Sequence, residues 1–379
     1  MKNWIVLLLL GLLASCKTEN QSVSYNYELV PTGIVKSFEL DSDVKYNAFY
    51  LYPFKDKSGK EILSFLNYRS NQILFYDFLT GKPLKKVKLH ADGPNGIVQA
   101  SGCYIHDWDH IYVSSYVYNG LIGVDTLGCI VQKIPYGTTA RPYKILSSYT
   151  PSSHPYTAPV FLDGKMFITQ PGVERYHPLD ETPLSVALDT VKQTYEDFPI
   201  TYSVLTDKEK DSGDLRFGRI YDGRRFIYSF YVDEDLVVAS ANHSDVKMVK
   251  AKSQYIQDAT QPQKMDENGP RSNLEVARYG DVVYDPYRDV YYRFAYPRVE
   301  LDTHVNWWGK SVYGRKKFSV LILNKDFEVI GETLFPESIY NSYVFFIHKD
   351  GLYISRDYQM NYDQSEDFMT FELFALETK

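Results

Sequence analysis

The sequence predicts an all-β protein: a six-bladed β-propeller of four-stranded antiparallel blades, closed by the N-terminal strand completing the last blade. Three observations predict it: a composition rich in aromatic strand formers, a strand–aspartate–strand phrase written six times, and a last copy whose missing strand is available at the other end of the chain. Of 379 residues, 34 are Tyr and 21 are Phe, types that suit a pleated, half-buried surface better than a helix. With 44% hydrophobic and 23% charged residues, the chain can bury a large core.

The phrase is an apolar strand end, an aspartate, a short turn and a second strand of aromatic and β-branched residues. Its copies run from Tyr52 through Asp56 to Glu61–Phe65, from Tyr104 through Asp107 to Ile111–Ser114, and from Val160 through Asp163 to Met166–Thr169. Three more run from Arg219 through Asp222 to Phe226–Ser229, from Val282 through Asp285 to Val290–Arg293, and from Phe346 through Asp350 to Leu352–Ser355. Successive aspartates lie 51, 56, 59, 63 and 65 residues apart, somewhat longer than common blade repeats and consistent with long loops. The fourth copy is the least regular. Third strands end on Asp77, Asp125, Asp189 and Asn324, residues whose side chains hydrogen-bond the backbone of a tight turn. Fourth strands follow at Pro83–Leu89, Ile130–Tyr136 and Phe327–Leu334. The last copy ends with a third strand, Thr370–Leu376, while Gly33–Leu40 precedes the first copy and belongs to no other blade. Pairing the two closes the ring and protects the edges.

Ahead of this domain (25–379), Lys2 precedes an apolar run from Trp4 to Leu13. A spanning helix needs roughly 20 apolar residues, so the shorter run reads as a signal peptide, 1–15. Leu13-Ala-Ser-Cys16 resembles a lipobox. That resemblance implies lipidation of Cys16, with palmitate among the acyl chains, cleavage before it, and residues 16–24 as lipidated cysteine and flexible tether. Lipobox, tether and a six-copy repeat rich in Tyr and Asp are similar, over essentially the whole chain, to the six-bladed propeller lipoproteins of Bacteroidota-type envelopes. The resemblance implies an outer-membrane anchor, with the periplasmic and surface faces both open. In such envelopes Asp125-Thr-Leu and Asp189-Thr-Val resemble O-glycosylation sequences, although a turn role accounts for both.

Several chemistries are disfavoured. A net charge of −7 gives nucleic acid no electrostatic footing. On the strand reading, Cys103 and Cys129 occupy the first and fourth strands of one sheet. About 4.8 Å per strand spacing puts them beyond the roughly 7 Å Cα limit of a disulfide, so both are expected as free thiols. His106-Asp-Trp-Asp-His110 has metal-ligand residue types, but the repeat makes Asp107 a turn former, and no metal or other cofactor is expected. No His-Glu-x-x-His, Gly-x-Ser-x-Gly, phosphate-binding glycine loop or Cys-x-x-Cys occurs, and no catalytic residue is assigned.

The loops between second and third strands share a chemistry. They carry Tyr68 and Arg69; Tyr116 and Tyr118; Arg175, Tyr176 and His177; Tyr231; Tyr296 and Arg298; and Arg356 and Tyr358. Stiff amphipathic rings and planar guanidiniums are what binding surfaces favour. The fifth loop is enlarged over Val299–Lys317 and holds Trp307 and Trp308, whose indoles, if exposed, would stack on sugars or anchor a partner. Arginines facing one funnel would suit an anionic ligand such as an acidic glycan or a peptide carboxylate. The expected function is therefore a monomeric, non-catalytic envelope lipoprotein that binds a glycan, peptide or protein. The alternatives are a glycan lyase or hydrolase using Tyr, His177 or a funnel acid, and a structural subunit of an envelope complex.

Overall fold

The computed structural model describes residues 25–41, 49–139, 157–173, 177–263, 267, 271–358 and 367–379. The signal peptide, Cys16, the tether, Arg175 and Tyr176 lie outside the described residues.

In chain order, β1 (Tyr27–Glu39) is followed by a first sheet of β2 (Phe49–Lys55), β3 (Glu61–Asn67), β4 (Gln72–Asp77) and β5 (Pro83–Lys88). The second sheet is β6 (Ala100–Asp107), β7 (His110–Ser115), β8 (Tyr118–Val124) and β9 (Ile130–Pro135). A third holds β10 (Val160–Leu162), β11 (Lys165–Thr169), β12 (Ser185–Asp189) and β13 (Thr194–Asp197). The fourth holds β14 (Phe217–Tyr221), β15 (Arg225–Phe230), β16 (Asp235–Ser240) and β17 (Val246–Lys250). Next come β18 (Arg278–Asp285), β19 (Val290–Tyr296), β20 (Ser319–Leu323) and β21 (Val329–Leu334), then β22 (Asn341–His348), β23 (Gly351–Ser355) and β24 (Phe368–Thr378). These last seven and β1 make one eight-stranded sheet in the order β18-β19-β20-β21-β1-β24-β23-β22.

The fold is thus all-β and propeller-like, with four four-stranded sheets and one of eight strands. The sequence leads to six separate sheets, and the difference has a local cause. β1 pairs antiparallel with β24 over ten residue pairs, from Tyr27↔Thr378 to Glu39↔Phe368, and its first residue also meets β21 through the parallel pair Tyr27↔Gly331. A Cβ at Gly331 would strike the Tyr27 carbonyl oxygen, so the missing side chain permits this approach. The N-terminal strand starts earlier than Gly33 and kinks at a bulge between Pro31 and Val35.

All six aspartate phrases become hairpins. Asp56 Oδ1 accepts the Ser58 and Lys60 amides, Asp222 Oδ1 those of Arg224 and Arg225, and Asp285 Oδ1 those of Tyr287 and Arg288. At third-strand ends, Asp77, Asp125, Asp189 and Asn324 cap turns in the same manner. Second and third strands such as β3 and β20 are buried along nearly their whole length, which explains their unbroken apolar runs. Outermost strands such as β5 and β17 expose lysines, a composition that discourages edge-to-edge association. Cys103 is buried in β6, Cys129 sits just before β9, and both are free.

Candidate functional site

Chain segments that precede first strands meet loops that follow second strands around a cavity of about 490 Å³. Gln170–Val173 leave β11, Tyr231 leaves β15, and Asp214–Phe217 lead into β14. Its volume lies in the range of small-molecule sites.

Two charged groups line its wall, Asp214, which is buried, and Arg216, whose side chain is 48% exposed. Two neighbours hold Arg216. Asp214, itself buried, accepts Arg216 Nε on Oδ1 and Nη2 on Oδ2, both at 2.8 Å. The Tyr231 ring lies 4.9 Å from the guanidinium carbon. Tyr231 in turn donates its hydroxyl to Asp281 Oδ1 at 2.9 Å, and its backbone bonds Arg216 O and the Tyr279 amide. Burial alone would raise the Asp214 carboxyl, but Arg216 and Arg278 hold it below its ordinary value. Burial, reinforced by Asp281, pushes the Tyr231 hydroxyl well up, so it stays a donor.

Behind this wall stand two more arginines. Arg278 reaches Asp214 Oδ2 at 3.2 Å and donates to the carbonyls of Ala259, Ala277 and Gln261. Arg315 donates to the carbonyls of Asn273 and Val276 and lies over the Tyr296 ring at 5.2 Å. Gln263 Nε2 donates to Asp214 Oδ2 at 2.6 Å. Tyr202 closes the cavity floor, its hydroxyl bonded to Gln170 O.

Of the loop residues singled out by sequence, Tyr231 lines the cavity and Tyr296 lies behind it. Tyr68 and Tyr116 are exposed neighbours on the first two sheets and share a side-chain hydrogen bond. Tyr118 falls inside β8, with Lys133 Nζ 5.7 Å over its ring. Arg298 is exposed and His177 half-buried. Arg356 stands 3.8 Å from Glu372, and Tyr358 is buried, which pushes its hydroxyl up to about 12. The two indoles separate: Trp308 is 57% exposed, whereas Trp307 is buried with Leu274, Val299 and Leu301. Trp307 Nε1 donates to Asp302 O, so this ring is the core of the enlarged loop and not a stacking platform. In the His106–His110 segment, Asp107 Oδ1 accepts the Asp109 amide and bonds His110 Nδ1, both at 2.8 Å. Among the described residues no cluster of three or more His, Cys, Asp or Glu could hold a metal ion.

Sequence reasoning misses Asp214, Arg216, Arg278 and Arg315. Three of them precede or follow strands in connections that carry no repeat. The available signal is Asp214-Leu-Arg216, a short-range carboxylate–guanidinium pair just ahead of a first strand.

The family described as a domain of unknown function, DUF4221, matches residues 26–334, and the chain belongs to that family. A crystal structure of a DUF4221 member from Bacteroides vulgatus is 26% identical, covering 94% of this chain and 99% of its own, with a TM-score of 0.78. A Bacteroides fragilis protein thought to be exported is 10% identical, covering 93% of this chain and 95% of its own, with a TM-score of 0.55. No curated protein matches the chain.

Proposed function

We propose that this DUF4221 protein is a non-catalytic binding module, a six-bladed propeller held at a bacterial envelope by lipid on Cys16, which captures an anionic ligand on its loop face. The observation that carries the reading is Arg216: a half-exposed guanidinium in the wall of a concave cavity, fixed by Asp214 along one edge and by Tyr231 on one face. Fixing such a group before a ligand arrives lowers the ordering cost of binding. The six-blade count is supported by the eight-stranded sheet, whose halves each hold four strands and join through one parallel residue pair. The anchor is supported by the lipobox-like Leu13–Cys16, and no helix among the described residues is long and apolar enough to cross a membrane.

Thermal unfolding of the chain lacking its first 16 residues, screened against acidic glycans and peptides, tests the binding reading. Acidic ligands are expected to raise Tm, because anything that binds the folded state stabilises it by mass action. If no ligand moves Tm, even at concentrations far above any plausible Kd, the reading fails. Palmitate incorporation in cells, expected to be lost in Cys16→Ser, tests the anchor.

A further inference from the structure

Resting on that binding reading, we propose that the Arg216 cavity selects a free carboxylate group on an uncharged, partly apolar body, received bidentate by the Nη1/Nη2 edge of Arg216. A guanidinium has five N–H donors in a rigid fork. Asp214 takes Nε and one Nη2 hydrogen, which is one complete edge. One Nη1 hydrogen and the second Nη2 hydrogen form the adjacent edge, and Nη1 meets no acceptor among the described residues. With Asp214 on one edge and the Tyr231 ring on one face, the guanidinium cannot turn to hide its free edge. Planar, paired donors of this kind match the two oxygens of a carboxylate.

Charge points the same way. Arg216, Arg278 and Arg315 lie within electrostatic range of one another, and all remain protonated. Arg216 and Arg278 share one carboxylate, Asp214, so a ligand carboxylate on the open edge of Arg216 brings a second anion to two paired cations. A monoanion completes that match, whereas a phosphate dianion exceeds it. Elsewhere the wall mixes hydrocarbon, at Pro171, Val173, Leu215 and Phe217, with neutral polar groups such as Thr169 and Gln263, and such a mixed surface suits a sugar ring or an amino-acid residue better than a second charge. A uronic acid and a peptide C-terminus both present this chemistry.

Calorimetric titration of the full-length chain in detergent separates these cases with matched probes: glucuronic acid against glucose, N-acetyltyrosine against N-acetyltyrosinamide, and inorganic phosphate. At least one acid is expected to bind tenfold or more tightly than its neutral partner, and to bind more tightly than phosphate. The pair that shows the preference identifies the source. Arg216→Gln is expected to abolish the preference, and Arg216→Lys, which keeps the charge but not the fork, to retain only part of it. Equal binding of acid and neutral partner overturns the carboxylate inference while leaving the cavity a ligand site. Tighter binding of phosphate, an acid preference that survives Arg216→Gln, or no binding by any acid at millimolar concentration also overturns it. The acid–neutral comparison on the unaltered chain decides the matter even if a variant fails to fold.

Discussion

Between the first and second sheets, Ile62, Ile73 and Val87 meet Ile105, Val113 and Ile122 in a continuous hydrocarbon cluster. Between the fourth sheet and β18–β21 an apolar cluster is present too, but Arg293, 0% exposed, stands beside it. Its guanidinium donates to the carbonyls of Asp233, Glu234 and Ala251 and to Ser229 Oγ, and lies 4.0 Å from the Tyr279 ring. Arg219 plays the same part between the third and fourth sheets, donating to Ser185 Oγ and to the Ala158 and Phe167 carbonyls. Hydrocarbon holds two sheets together without fixing direction. Hydrogen bonds from a rigid fork fix which loop sits where. The loop held by Arg293 is the one that carries Tyr231, and Tyr231 holds Arg216. The polar seam thus positions the cavity, and the apolar seam supplies stability far from it.

The sharpest way to break this comparison is Arg293→Met. Methionine fills much of the volume but leaves the buried carbonyls of Asp233 and Ala251 without this donor, each an uncompensated loss, while Glu234 O keeps the Ala251 amide. The expected destabilisation is about 4 kcal/mol by urea unfolding. Ile122→Val in the apolar seam is expected to cost about 1 kcal/mol. If Arg293→Met costs no more than Ile122→Val, the polar seam does not fix the loops as argued.

A second difference is titratable. His243 is buried in the polar half, with Nε2 2.6 Å from the Tyr228 hydroxyl and its ring 4.6 Å from Phe198. Burial, and then the nearby Arg219, lower its pKa from 6.5 to about 4. Between these values the unfolded chain takes up a proton that the folded chain refuses. Stability therefore falls as pH drops from 6.5 to about 4, by about 3 kcal/mol for this group. Asp233 acts oppositely: burial lifts its carboxyl from 3.8 to about 6, so its contribution is present below pH 3.8 and is lost as pH rises through 6. In the apolar seam the Cys103 thiol is pushed up by burial and stays neutral throughout. His243→Asn, tolerated by a backbone φ of 58°, is expected to remove the acid-side loss. An unchanged slope of stability against pH from 6.5 to 4 in that variant would show that His243 does not carry it.

The strands and their turns were legible because their causes are local. An aspartate after an apolar strand end, as at Asp56, Asp222 or Asp285, hydrogen-bonds amides two and three or four residues on, and that geometry is written in one short segment. The pairing of β1 with β24 was legible from what each end lacked. The site was legible only in part. Tyr231 sits in a readable loop, but Arg216, Arg278 and Arg315 converge from sequence positions up to about a hundred residues apart, and no local pattern records such convergence. Arg219 and Arg293 stand inside readable strands, yet strand alternation does not reveal whether an inward arginine has carbonyls waiting for it. Trp307 misled for the same reason: a long loop can build its own core, and the sequence shows the indole without the Leu274 and Leu301 that bury it.

The smallest expected effect tests the apolar seam from its own side. One of its buried polar bridges, beside the Ala100 amide donating to Asn71 Oδ1, is the Tyr52 hydroxyl, which donates to the Cys103 carbonyl at 2.8 Å across the first and second sheets. Tyr52→Phe keeps the ring, which also packs edge-on against Tyr104 at 5.5 Å, and removes one neutral hydrogen bond. The expected cost is about 1 kcal/mol, with no change in ligand affinity at the Arg216 cavity, because no loop of that cavity is held by this bond. Urea unfolding and titration of the same acid probe read the two quantities separately. A loss near that of Arg293→Met would mean that one directional bond, and not hydrocarbon area, governs the apolar seam. A shift in affinity would mean that the two seams are mechanically coupled around the ring.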